Sequence, residues 1–541
     1  MTRRGALFGL GSAAAAALGA SCTRDDAARA RDVDAAFAFS PEVVGHRIRD
    51  GARVEPSPDA WRDLGVVIVG AGVAGLSAAR ALRAADFHDF VVLELESAIG
   101  GTARGGRTDV SPHPWGAHYT NLPRAENVDY VAFLRAHGAV EGLDAAGEPI
   151  AAEGAICRDP DERSYTAGKW FEGLLPVAVM NAAAAADLAK LEAQVARWAA
   201  FRDARGRRAF ALPRALGSDA DEVRALDTQT FAAWLDAAGI TAPPVRWLCD
   251  YACRDDFGAR PDAVSAWAGL HYFTSRHRET GDGSAPVLTW PEGNGRMVDW
   301  LAADAHPEIL TGLAVADVQP LEAGGVEVRA LDVATGAARG FRAKQVLLAV
   351  PQVFAGRLLR SFRDAPPAHL AEFVYGPWLV ANLELHTRPG ARGYPLSWDN
   401  VPYGSDALGY ICATHQAGND WGPTVLTWYE ALADADAKAA RKALLSWDAA
   451  ACRDRVFADL RSAHPDLVRR TTRVTFARHG HAMVRPRPGF VFGAAREAAA
   501  QPFRGVHFAH TDLSGLALFE EAFWHGRRAA AEILVAQGRT G

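Results

Sequence analysis

Cysteine is scarce in this sequence, which has six cysteines among 541 residues. Six scattered thiols are too few to form a disulfide framework in a chain of this length. Cys249 and Cys253 lie four residues apart, a spacing that puts both on one face of a helix. A metal site there would need two further ligands at suitable spacing, and the sequence offers none, so we expect no metal. A haem attachment motif is absent as well.

Lysine is also scarce, since only five of the 58 basic residues are lysines. The formal net charge is −6, and Lys and Arg form no block longer than a short pair. A nucleic-acid partner is therefore not expected. Long apolar runs are missing too, so we expect no membrane-spanning helix in the mature protein. The composition, 49% hydrophobic and 23% charged, is that of a globular protein with a large core, and the length favours two domains.

The first 22 residues predict an export signal. Arg3-Arg4 precedes an uncharged run over residues 5–20 that is rich in alanine and glycine, a pattern typical of a Tat signal peptide. A disordered alanine-rich tail is the alternative interpretation. The Tat route carries proteins already folded around a cofactor, so the pattern predicts a periplasmic or otherwise extracytoplasmic protein. Residues 18–22 resemble a lipoprotein cleavage box, which leaves a lipid anchor at Cys22 open.

A glycine-rich turn lies between an apolar run and a stretch of small residues. The β-branched run at 66–69 leads into Gly70-x-Gly72-x-x-Gly75. This order of strand, turn and helix predicts a dinucleotide site, in which the glycines permit a tight turn and close approach of the backbone to a pyrophosphate. The next apolar run ends at Glu94, at the spacing of a carboxylate that binds a ribose diol. The expected cofactor contacts here are Gly70, Gly72, Ala74, Gly75 and Glu94.

A second diglycine turn follows that acid. The stretch from Glu94 to Gly101 resembles the corresponding continuation in the flavin amine oxidase superfamily, which includes monoamine and polyamine oxidases, protoporphyrinogen oxidases and carotenoid desaturases. The C-terminal stretch from Gly505 to Ile533 resembles the last flavin motif of that superfamily. The resemblance implies FAD as the cofactor. Cys412 and Cys452 lie outside the C-terminal flavin loop, so we expect the FAD to be non-covalent.

The resemblance also implies the fold class, which is α/β. We expect a Rossmann-like FAD-binding domain, with the glycine motif and a parallel sheet, and an interleaved α+β substrate-binding domain. Residues 23–63, rich in Ala, Arg, Asp and Pro, predict a linker before the first strand. The predicted boundaries are 64–125, 286–356 and 480–541 for the FAD-binding domain, and 126–285 and 357–479 for the substrate-binding domain.

Further cofactor contacts are implied by the resemblance. Relatives usually carry an arginine directly after the diglycine, where this chain has Thr102, so Arg104 or Arg107 is expected to serve the pyrophosphate. The residue that matches Val318 pairs its backbone with the adenine in relatives. Asp512 matches the acid of the C-terminal flavin loop. The contacts added in this way are Gly100, Gly101, Thr102, Arg104, Val318 and Asp512.

The candidate catalytic residues are mostly aromatic. Trp115-Gly116-Ala117-His118-Tyr119 matches a turn that runs beside the flavin ring in the superfamily, which implies that Trp115, His118 and Tyr119 line the substrate cavity. Trp428, from an aromatic-rich region, is the fourth candidate. Core packing of the aromatics and loop fixing by His118 are the alternative interpretations. The remaining polar candidates are His415, His479, His481 and His510.

The resemblance implies an exported FAD-dependent oxidoreductase that oxidises an amine by hydride transfer to the flavin, followed by hydrolysis of the imine. Oxygen or another acceptor then reoxidises the flavin. A polyamine is the favoured small-molecule substrate, because several acids are available to meet a second ammonium group: Asp255, Asp256, Glu292 and Glu430. Two departures from the pattern of amine oxidases stand against this. No lysine lies near Gly376, and Leu516-Ala517-Leu518 replaces an aromatic residue before the last helix.

Two alternatives stay open. A desaturase or porphyrinogen-type oxidase would act on an apolar substrate, and it predicts a wide apolar cavity without carboxylates. A redox-inactive binding protein that kept the flavin fold predicts either no bound flavin or a flavin that no donor reduces.

Overall fold

The structure is a computed structural model that describes residues 29–39, 42–51, 54–277, 285–434 and 436–539. The predicted signal peptide and the lipid anchor predicted at Cys22 lie outside these ranges. Within these ranges, no helix combines the length and the apolarity needed to cross a membrane.

Strands in the described ranges form two large sheets and three two-stranded ribbons. In chain order they are β1 (Asp34–Phe37), β2 (Trp61–Val69), β3 (Phe90–Leu93), β4 (Gly105–Arg107), β5 (Pro112–Pro114), β6 (Thr120–Asn121), β7 (Val140–Leu143), β8 (Pro149–Ala151), β9 (Glu162–Thr166), β10 (Lys169–Glu172), β11 (Val287–Leu288), β12 (Glu308–Leu310), β13 (Leu313–Pro320), β14 (Val326–Asp332), β15 (Ala338–Leu348), β16 (Tyr375–Leu385), β17 (Asp399–Pro402), β18 (Gly409–Cys412), β19 (Thr424–Ala431), β20 (Thr471–Val484) and β21 (Val506–Phe508).

The sheet that carries the glycine motif, which we call the dinucleotide sheet, has the order β12-β3-β2-β15-β14-β13, with β21 also paired to β15. The strands β12, β3, β2, β15 and β21 run parallel, whereas β14 pairs antiparallel with both β15 and β13. Val66 and Ile68 of β2 pack in one core cluster and Val67 and Val69 in another. Both faces of β2 are therefore covered, which explains its uninterrupted apolar sequence.

The second sheet, which we call the large sheet, has the order β1-β20-β16-β19-β18-β17-β9-β10. Its long strand β16 pairs antiparallel with both β20 and β19. Strands β9 and β10 precede β12 to β15 in the chain, and β16 to β20 follow them, so the chain leaves the dinucleotide sheet for the large sheet twice and returns to it each time. This arrangement confirms the predicted Rossmann-like domain with an interleaved α+β domain.

Helices flank both sheets. The α-helices of the described residues span Glu42–Arg49, Val73–Ala84, Val128–Ala136, Ala182–Ala200, Asp221–Ala225, Phe231–Ala237, Pro243–Phe257, Ala266–Ser275, Gly295–Ala305, Gln352–Leu358, Arg360–Asp364, Ala437–Ser446, Ala449–Leu460, Leu467–Arg470, Ala494–Ala499 and Phe519–Ala536.

Two of these helices cross at the glycine motif. We call Val73–Ala84 the glycine-turn helix and Phe519–Ala536 the C-terminal helix. A Cβ on Gly526 would lie 2.2 Å from the carbonyl oxygen of Ala74, so the close approach of the two helices requires glycine at this position. Ala74 is 3% exposed and lies in this contact. The structure therefore places the side chain and carbonyl group of Ala74 in helix packing, and the cofactor contact expected of its backbone N–H stays a prediction.

Residues 23–63 differ from the predicted linker wherever the structure describes them. Strand β1 pairs in parallel with β20, and the helix Glu42–Arg49 packs on the dinucleotide sheet through Val44 and Ile48. The few apolar side chains of this stretch are spaced to serve one strand and one helix, which its Ala- and Arg-rich composition hides. The predicted boundary at 479/480 also shifts, because β20 belongs to the large sheet over its whole length.

Candidate functional site

The glycine turn leaves open space in front of a helix N-terminus. Gly70 has a φ of 105°, and a Cβ on Gly75 would lie 1.9 Å from the carbonyl oxygen of Gly70, so both positions need glycine. A Cβ on Gly72 would meet no atom within 4 Å. Gly72 is also the N-cap of the glycine-turn helix, whose first N–H groups receive no side-chain cap. Uncapped N–H groups that face open space suit an anion such as a pyrophosphate.

The second glycine turn lies against the first. Gly100 has a φ of 109°, and its N–H donates to the carbonyl oxygen of Ala71 over 2.9 Å. Gly101 and Thr102 are exposed, and a Cβ on Gly101 would lie 3.7 Å from the Cα of Gly72. The two turns therefore border one open space, which we call the dinucleotide cradle.

Glu94 lies at one end of the dinucleotide cradle. Its Oε2 accepts a hydrogen bond from the N–H of Ala71 at 2.8 Å, and its Oε1 accepts one from the N–H of Glu96 at 2.9 Å. Burial raises the pKa of Glu94, and these two donors oppose the rise. Each carboxylate oxygen has a second lone pair. Glu94 can therefore still accept hydrogen bonds from a ribose diol.

Val318 does not present the free strand edge expected for an adenine contact. Its side chain is fully buried. Its main chain pairs with Val328 on one side and bridges Leu359 on the other. The expected contact at Val318 is corrected, because both edges of the backbone at this residue are covered.

Val315, earlier on the same strand, fits the adenine role better. The N–H of Leu313 donates to the carbonyl oxygen of Glu94 over 2.8 Å. Residues two apart on a strand present their backbone groups to the same edge, so Val315 faces the edge next to Glu94. A bulge at Ala316 separates Val315 from Val318. Bulges change the edge that a residue faces, and no feature of the local sequence indicates this one.

Arg104 is buried behind the second glycine turn. Its guanidinium forms an ion pair with Glu96 and lies over the ring of Phe39, with the guanidinium carbon 3.9 Å from the ring centroid. Its Nε–H has no hydrogen-bond partner in the part of the chain that the structure describes. A buried N–H without a partner is costly, and a phosphate oxygen is a strong acceptor for it. Arg104 therefore suits the role expected of it.

Asp512 is fully buried and faces the protein. Its Oδ2 accepts hydrogen bonds from the N–H of Gln352 at 2.8 Å and the hydroxyl of Tyr375 at 2.5 Å, and its Oδ1 lies 2.9 Å from Nδ1 of His510. Burial alone would raise the pKa of Asp512, but the charge on His510 and these hydrogen bonds hold it below its usual value. Oδ2 of Asp512 thus fixes the loop, whereas Oδ1 has no hydrogen-bond partner among the described residues, and the expected cofactor contact stays a prediction.

Aromatic rings converge beside the cradle. His118 stacks on Tyr429 with ring centroids 4.6 Å apart. The ring of Trp398 lies 5.5 Å from that of His118 and 6.0 Å from that of Tyr119. Two of the predicted residues, His118 and Tyr119, thus meet two aromatic residues of the large sheet region. We call these four residues the aromatic recess.

A short segment joins the cradle to the aromatic recess. The N–H of Ala117 donates to the carbonyl oxygen of Thr102 over 2.9 Å, and a Cβ on Gly116 would lie 2.2 Å from the same oxygen. The hydroxyl of Thr289 donates to the carbonyl oxygen of His118 at 2.7 Å. The backbone that carries His118 is therefore held directly against the second glycine turn.

His118 is uncharged at neutral pH, because burial lowers its pKa to about 4. Its Nδ1 lies 3.3 Å from the carbonyl oxygen of Gly116. A neutral imidazole does not repel a cation, and its ring offers a flat wall to the recess.

Trp115 and Trp428 occupy different surroundings. Trp115 is 8% exposed and packs edge-on against Phe39 at the border of the aromatic recess. Trp428 is fully buried in another core cluster, where its Nε1–H donates to Asp459 over 2.8 Å. Successive residues of a strand face opposite sides of the sheet. Tyr429 therefore faces the recess in place of Trp428, which corrects that catalytic candidate.

Three carboxylates border the aromatic recess. Asp399 and Glu162 are register partners on β17 and β9, and the hydroxyl of Tyr251 lies 3.5 Å from Oδ2 of Asp399. Asp255 follows Tyr251 by four residues on the same helix and so shares its face, and its Oδ2 lies 3.4 Å from the hydroxyl of Tyr119. Within the described residues, none of the three forms an ion pair with Lys or Arg. We call Glu162, Asp255 and Asp399 the acid trio.

The acid trio is both deep and accessible. Burial, reinforced by neighbouring negative charges, raises the pKa of Asp255 and of Glu162 to about 7 and that of Asp399 well above its usual range. Each of the three nevertheless keeps part of its surface accessible. Side chains that are deep but accessible line a recess in the protein. Their negative charges are costly there without a cation to balance them.

The other acids expected to bind a second ammonium group are already paired. The pairs are Asp256 with Arg276, Glu292 with Arg296, and Glu430 with Arg455. Of the four acids predicted from the sequence, Asp255 alone belongs to the acid trio. Glu162 and Asp399 were missed, because each lies on a short strand without a motif and only the sheet brings them together.

The remaining candidate histidines hold the main chain or other side chains in place. His415 contacts the carbonyl oxygen of Arg158, His479 that of Trp115, His510 the carboxylate of Asp512, and His481 the ring of Tyr375. None of these contacts places a histidine in the aromatic recess as defined above.

We expect the acid trio to stabilise the protein without cofactor at about pH 4, and we expect this contribution to be lost as pH rises to about 7. The pKa of Asp255 is higher in the folded chain than in the unfolded chain, so folding favours its neutral form. The unfolded chain ionises first as pH rises, and the stabilisation is lost through the folded pKa of about 7. Buried histidines such as His118 change the stability in the opposite direction, but they do so in both proteins. The unfolding free energy of the wild type minus that of Asp255→Asn, measured in urea, should therefore decrease across this range. A difference between the two proteins that does not vary with pH would contradict the assignment.

A matched control for this measurement is Asp161→Asn. Asp161 is exposed and adjoins Glu162 in the chain. The charge of Asp161 is one of the causes of the raised pKa of Glu162, so the substitution should lower that pKa slightly. We therefore expect a smaller change in the pH dependence of unfolding than in Asp255→Asn.

Comparisons with known proteins agree with this architecture. A family model described as an NAD(P)-binding Rossmann-like domain matches residues 68–132, which include the cradle. No curated protein sequence matches the chain. A putrescine oxidase structure, bound to putrescine, is 16% identical with a TM-score of 0.60, and the match covers 88% of this chain and 100% of that one.

Two further solved structures have the same fold. A cyclohexylamine oxidase from Brevibacterium oxydans is 19% identical with a TM-score of 0.60, and the match covers 88% of this chain and 100% of that one. A fatty acid isomerase from P. acnes that produces CLA is 16% identical with a TM-score of 0.59, and the match covers 87% and 98%. These similarities establish the fold, which oxidases of amines and an isomerase of fatty acids share.

Proposed function

We propose that this protein is an FAD-dependent oxidoreductase that oxidises an amine, with a diamine or polyamine as the favoured substrate. One observation carries the proposal: the acid trio borders an aromatic recess that is joined to the dinucleotide cradle through residues 116–118. An amine with a second cationic nitrogen would place that nitrogen at the acid trio and its reacting carbon at the cradle end of the recess.

The residues of the cradle fit non-covalent FAD. Open space in front of Gly72 admits a pyrophosphate, the unpaired Nε–H of Arg104 is available to it, and Glu94 keeps lone pairs for a ribose. Val315 offers a backbone edge for the adenine. When bound, the flavin supplies a hydride acceptor. The solved structure of putrescine oxidase in complex with putrescine supports this choice of cofactor chemistry and substrate.

The aromatic recess would prepare the amine for oxidation. The nitrogen at the reacting carbon must be neutral, and an apolar aromatic setting lowers the pKa of an ammonium group. The acid trio would keep the distant nitrogen charged, because anionic carboxylates stabilise a cation. His118 stays neutral and adds no repulsion. The amine then loses a hydride and a proton to become an imine, which water hydrolyses to a carbonyl compound, and oxygen or another acceptor takes the electrons.

The acid trio argues against the two alternatives. A desaturase or porphyrinogen-type oxidase of an apolar substrate calls for a recess without carboxylates, whereas three border this one. A redox-inactive binding protein has no need of a recess with unbalanced negative charge next to the cradle. Both alternatives make predictions that one experiment separates.

The test is an anaerobic titration of the flavin-loaded protein with putrescine and spermidine, followed by the visible bands of the flavin. The expected result is that putrescine and spermidine bleach these bands. Cyclohexylamine serves as a comparison donor, because it lacks the second nitrogen. A loaded protein that stays yellow with every amine but bleaches with an apolar donor would support the desaturase alternative. A protein that no donor reduces would support the binding-protein alternative, and failure to take up FAD would contradict the proposal at its base.

We also propose export through the Tat route, which rests on Arg3-Arg4 and the uncharged run after it. Replacing both arginines by lysine should hold the flavoprotein in the cytoplasmic fraction, whereas the wild type is expected in the periplasmic or membrane fraction. Labelling with a radioactive fatty acid separates a lipid anchor at Cys22 from a free mature protein.

A further inference from the structure

The chain before the first Rossmann strand crosses from one sheet to the other. Strand β1 adds to the edge of the large sheet, where Asp34 pairs with Arg473 and Phe37 with Phe476. The N–H of Ala38 extends this pairing by donating to the carbonyl oxygen of Phe476 over 2.9 Å. The side chain of Arg478 lies over the ring of Phe37, 3.8 Å from its centroid. This end of the segment is therefore anchored on the large sheet.

The next part of the segment reaches the cradle. Phe39 lies under the guanidinium of Arg104, 3.9 Å away, and meets the ring of Trp115 edge-on at 5.6 Å. Its ring is also 6.2 Å from that of His479. Phe39 thus touches Arg104, which is suited to a pyrophosphate, and Trp115 at the border of the aromatic recess.

The helix Glu42–Arg49 continues to the other end of the cradle. Val44 and Ile48 pack in a small apolar cluster with Leu95 and with Ala314 and Ala316 of β13. Leu95 directly follows Glu94, and the two alanines flank Val315. The helix therefore covers the region where Glu94 and Val315 would hold the ribose and the adenine.

We propose that residues 29–39 and 42–51 form a strap that retains the cofactor, and that Phe39 is a positioning residue for Arg104. The strap spans the cradle from the border of the aromatic recess to the adenine end, and it is fixed at both ends by contacts that do not involve a ligand. This inference rests on the proposed function, because the group that the strap would retain is FAD. Release of FAD then requires the strap to leave the dinucleotide sheet.

Phe39 acts on Arg104 through geometry. The ring holds the guanidinium on one face while Glu96 holds one edge, so the unpaired Nε–H keeps a fixed direction. An aromatic face attracts a guanidinium, whereas an aliphatic side chain of similar size only fills space. Tyrosine at this position should therefore preserve the effect, and leucine should not.

The experiment measures the rate at which FAD leaves the loaded protein, followed by the rise of free flavin fluorescence after dilution. The variants are Phe39→Leu, Phe39→Tyr, and Val44→Asp combined with Ile48→Asp. The matched control is Val43→Asp, because Val43 is 59% exposed on the same helix. We expect release to be about tenfold faster or more in Phe39→Leu and in the double variant, and within about twofold of the wild type in Phe39→Tyr and Val43→Asp.

Two further readouts separate the outcomes. Limited proteolysis between residues 29 and 51 reports whether the strap has detached, and the visible spectrum of bound FAD reports a change at Arg104 and Trp115. If proteolysis shows that the strap has detached in the double variant while the rate of FAD release is unchanged, the strap does not retain the cofactor. Equal rates in Phe39→Leu and Phe39→Tyr would overturn the positioning role of Phe39. If the wild type never takes up FAD, the proposed function itself is contradicted. If the wild type retains FAD, the release rates of the variants decide whether the strap holds the cofactor.

Discussion

Replacing Gly72 with valine is expected to weaken FAD binding by at least about 100-fold, which corresponds to about 2.7 kcal/mol. The φ of Gly72 is −74°, a value that valine adopts without strain, and a Cβ there meets no protein atom within 4 Å. The folded protein therefore loses little stability. The valine side chain fills the space that the pyrophosphate would occupy in front of the helix N–H groups. Titration of the apoprotein with FAD, followed by quenching of flavin fluorescence, measures the effect.

The control for this substitution is Gly142→Val. Gly142 also has no atom within 4 Å of a Cβ and no positive φ, but it lies on β7, away from the cradle. Both variants should unfold in urea within about 0.5 kcal/mol of the wild type. FAD binding by Gly72→Val at the wild-type affinity would mean that the cofactor does not approach the first glycine turn, and the assignment of the cradle would fail.

Loss of the charges of the acid trio should have the second large effect. We expect Asp255→Asn combined with Asp399→Asn to lower kcat/KM for putrescine by on the order of 100-fold, because charged hydrogen-bonded contacts are worth about 1.5 to 3 kcal/mol each and are not additive. The loss should fall mainly on KM, since the distant ammonium group is bound equally in the ground state and the transition state. Cyclohexylamine lacks the second nitrogen, and its oxidation should change by less than about threefold.

The control for this double variant is a substitution at an exposed carboxylate outside the acid trio. Asp161→Asn removes an exposed carboxylate that acts on Glu162 only through its charge, so kcat/KM for either substrate should change by less than about threefold. An equal loss for putrescine and cyclohexylamine in the double variant would indicate a general defect of the recess and would remove the acid trio from substrate recognition. The pH dependence gives a second check: KM for putrescine should fall as pH rises through about 7, where Asp255 and Glu162 become anionic, and this fall should shrink in the variant.

The backbone of the cradle could be predicted from the sequence because its requirements are local. Gly70 needs a positive φ and Gly75 needs the absence of a Cβ, and both needs arise within a strand, a turn and a helix that are continuous in the chain. The same holds for the second glycine turn. The interleaved order of the two domains was implied by the resemblance to a known superfamily, since no local requirement of the chain dictates it.

The recess could be predicted only in part, because its walls come from distant strands. Which of Trp428 and Tyr429 faces the recess depends on the face of β19, and the sequence of a strand that is buried on both faces leaves this undetermined. A bulge in β13 moved the adenine edge from Val318 to Val315. Glu162 and Asp399 meet only because β9 and β17 are neighbours in the sheet. Each of these differences arises from tertiary pairing that leaves no local pattern.

Strand β1 also has a consequence for the order in which the protein assembles. Among the described residues it is the first strand to be synthesised, yet its partner β20 begins only at Thr471. A pairing across such a sequence separation forms late, since the loop that it closes is nearly the whole protein. All strands of the dinucleotide sheet except β21 precede β20, so most of this sheet can fold while the first residues are still unpaired. Closure of the large sheet is then the event that separates an accessible cofactor from a retained one.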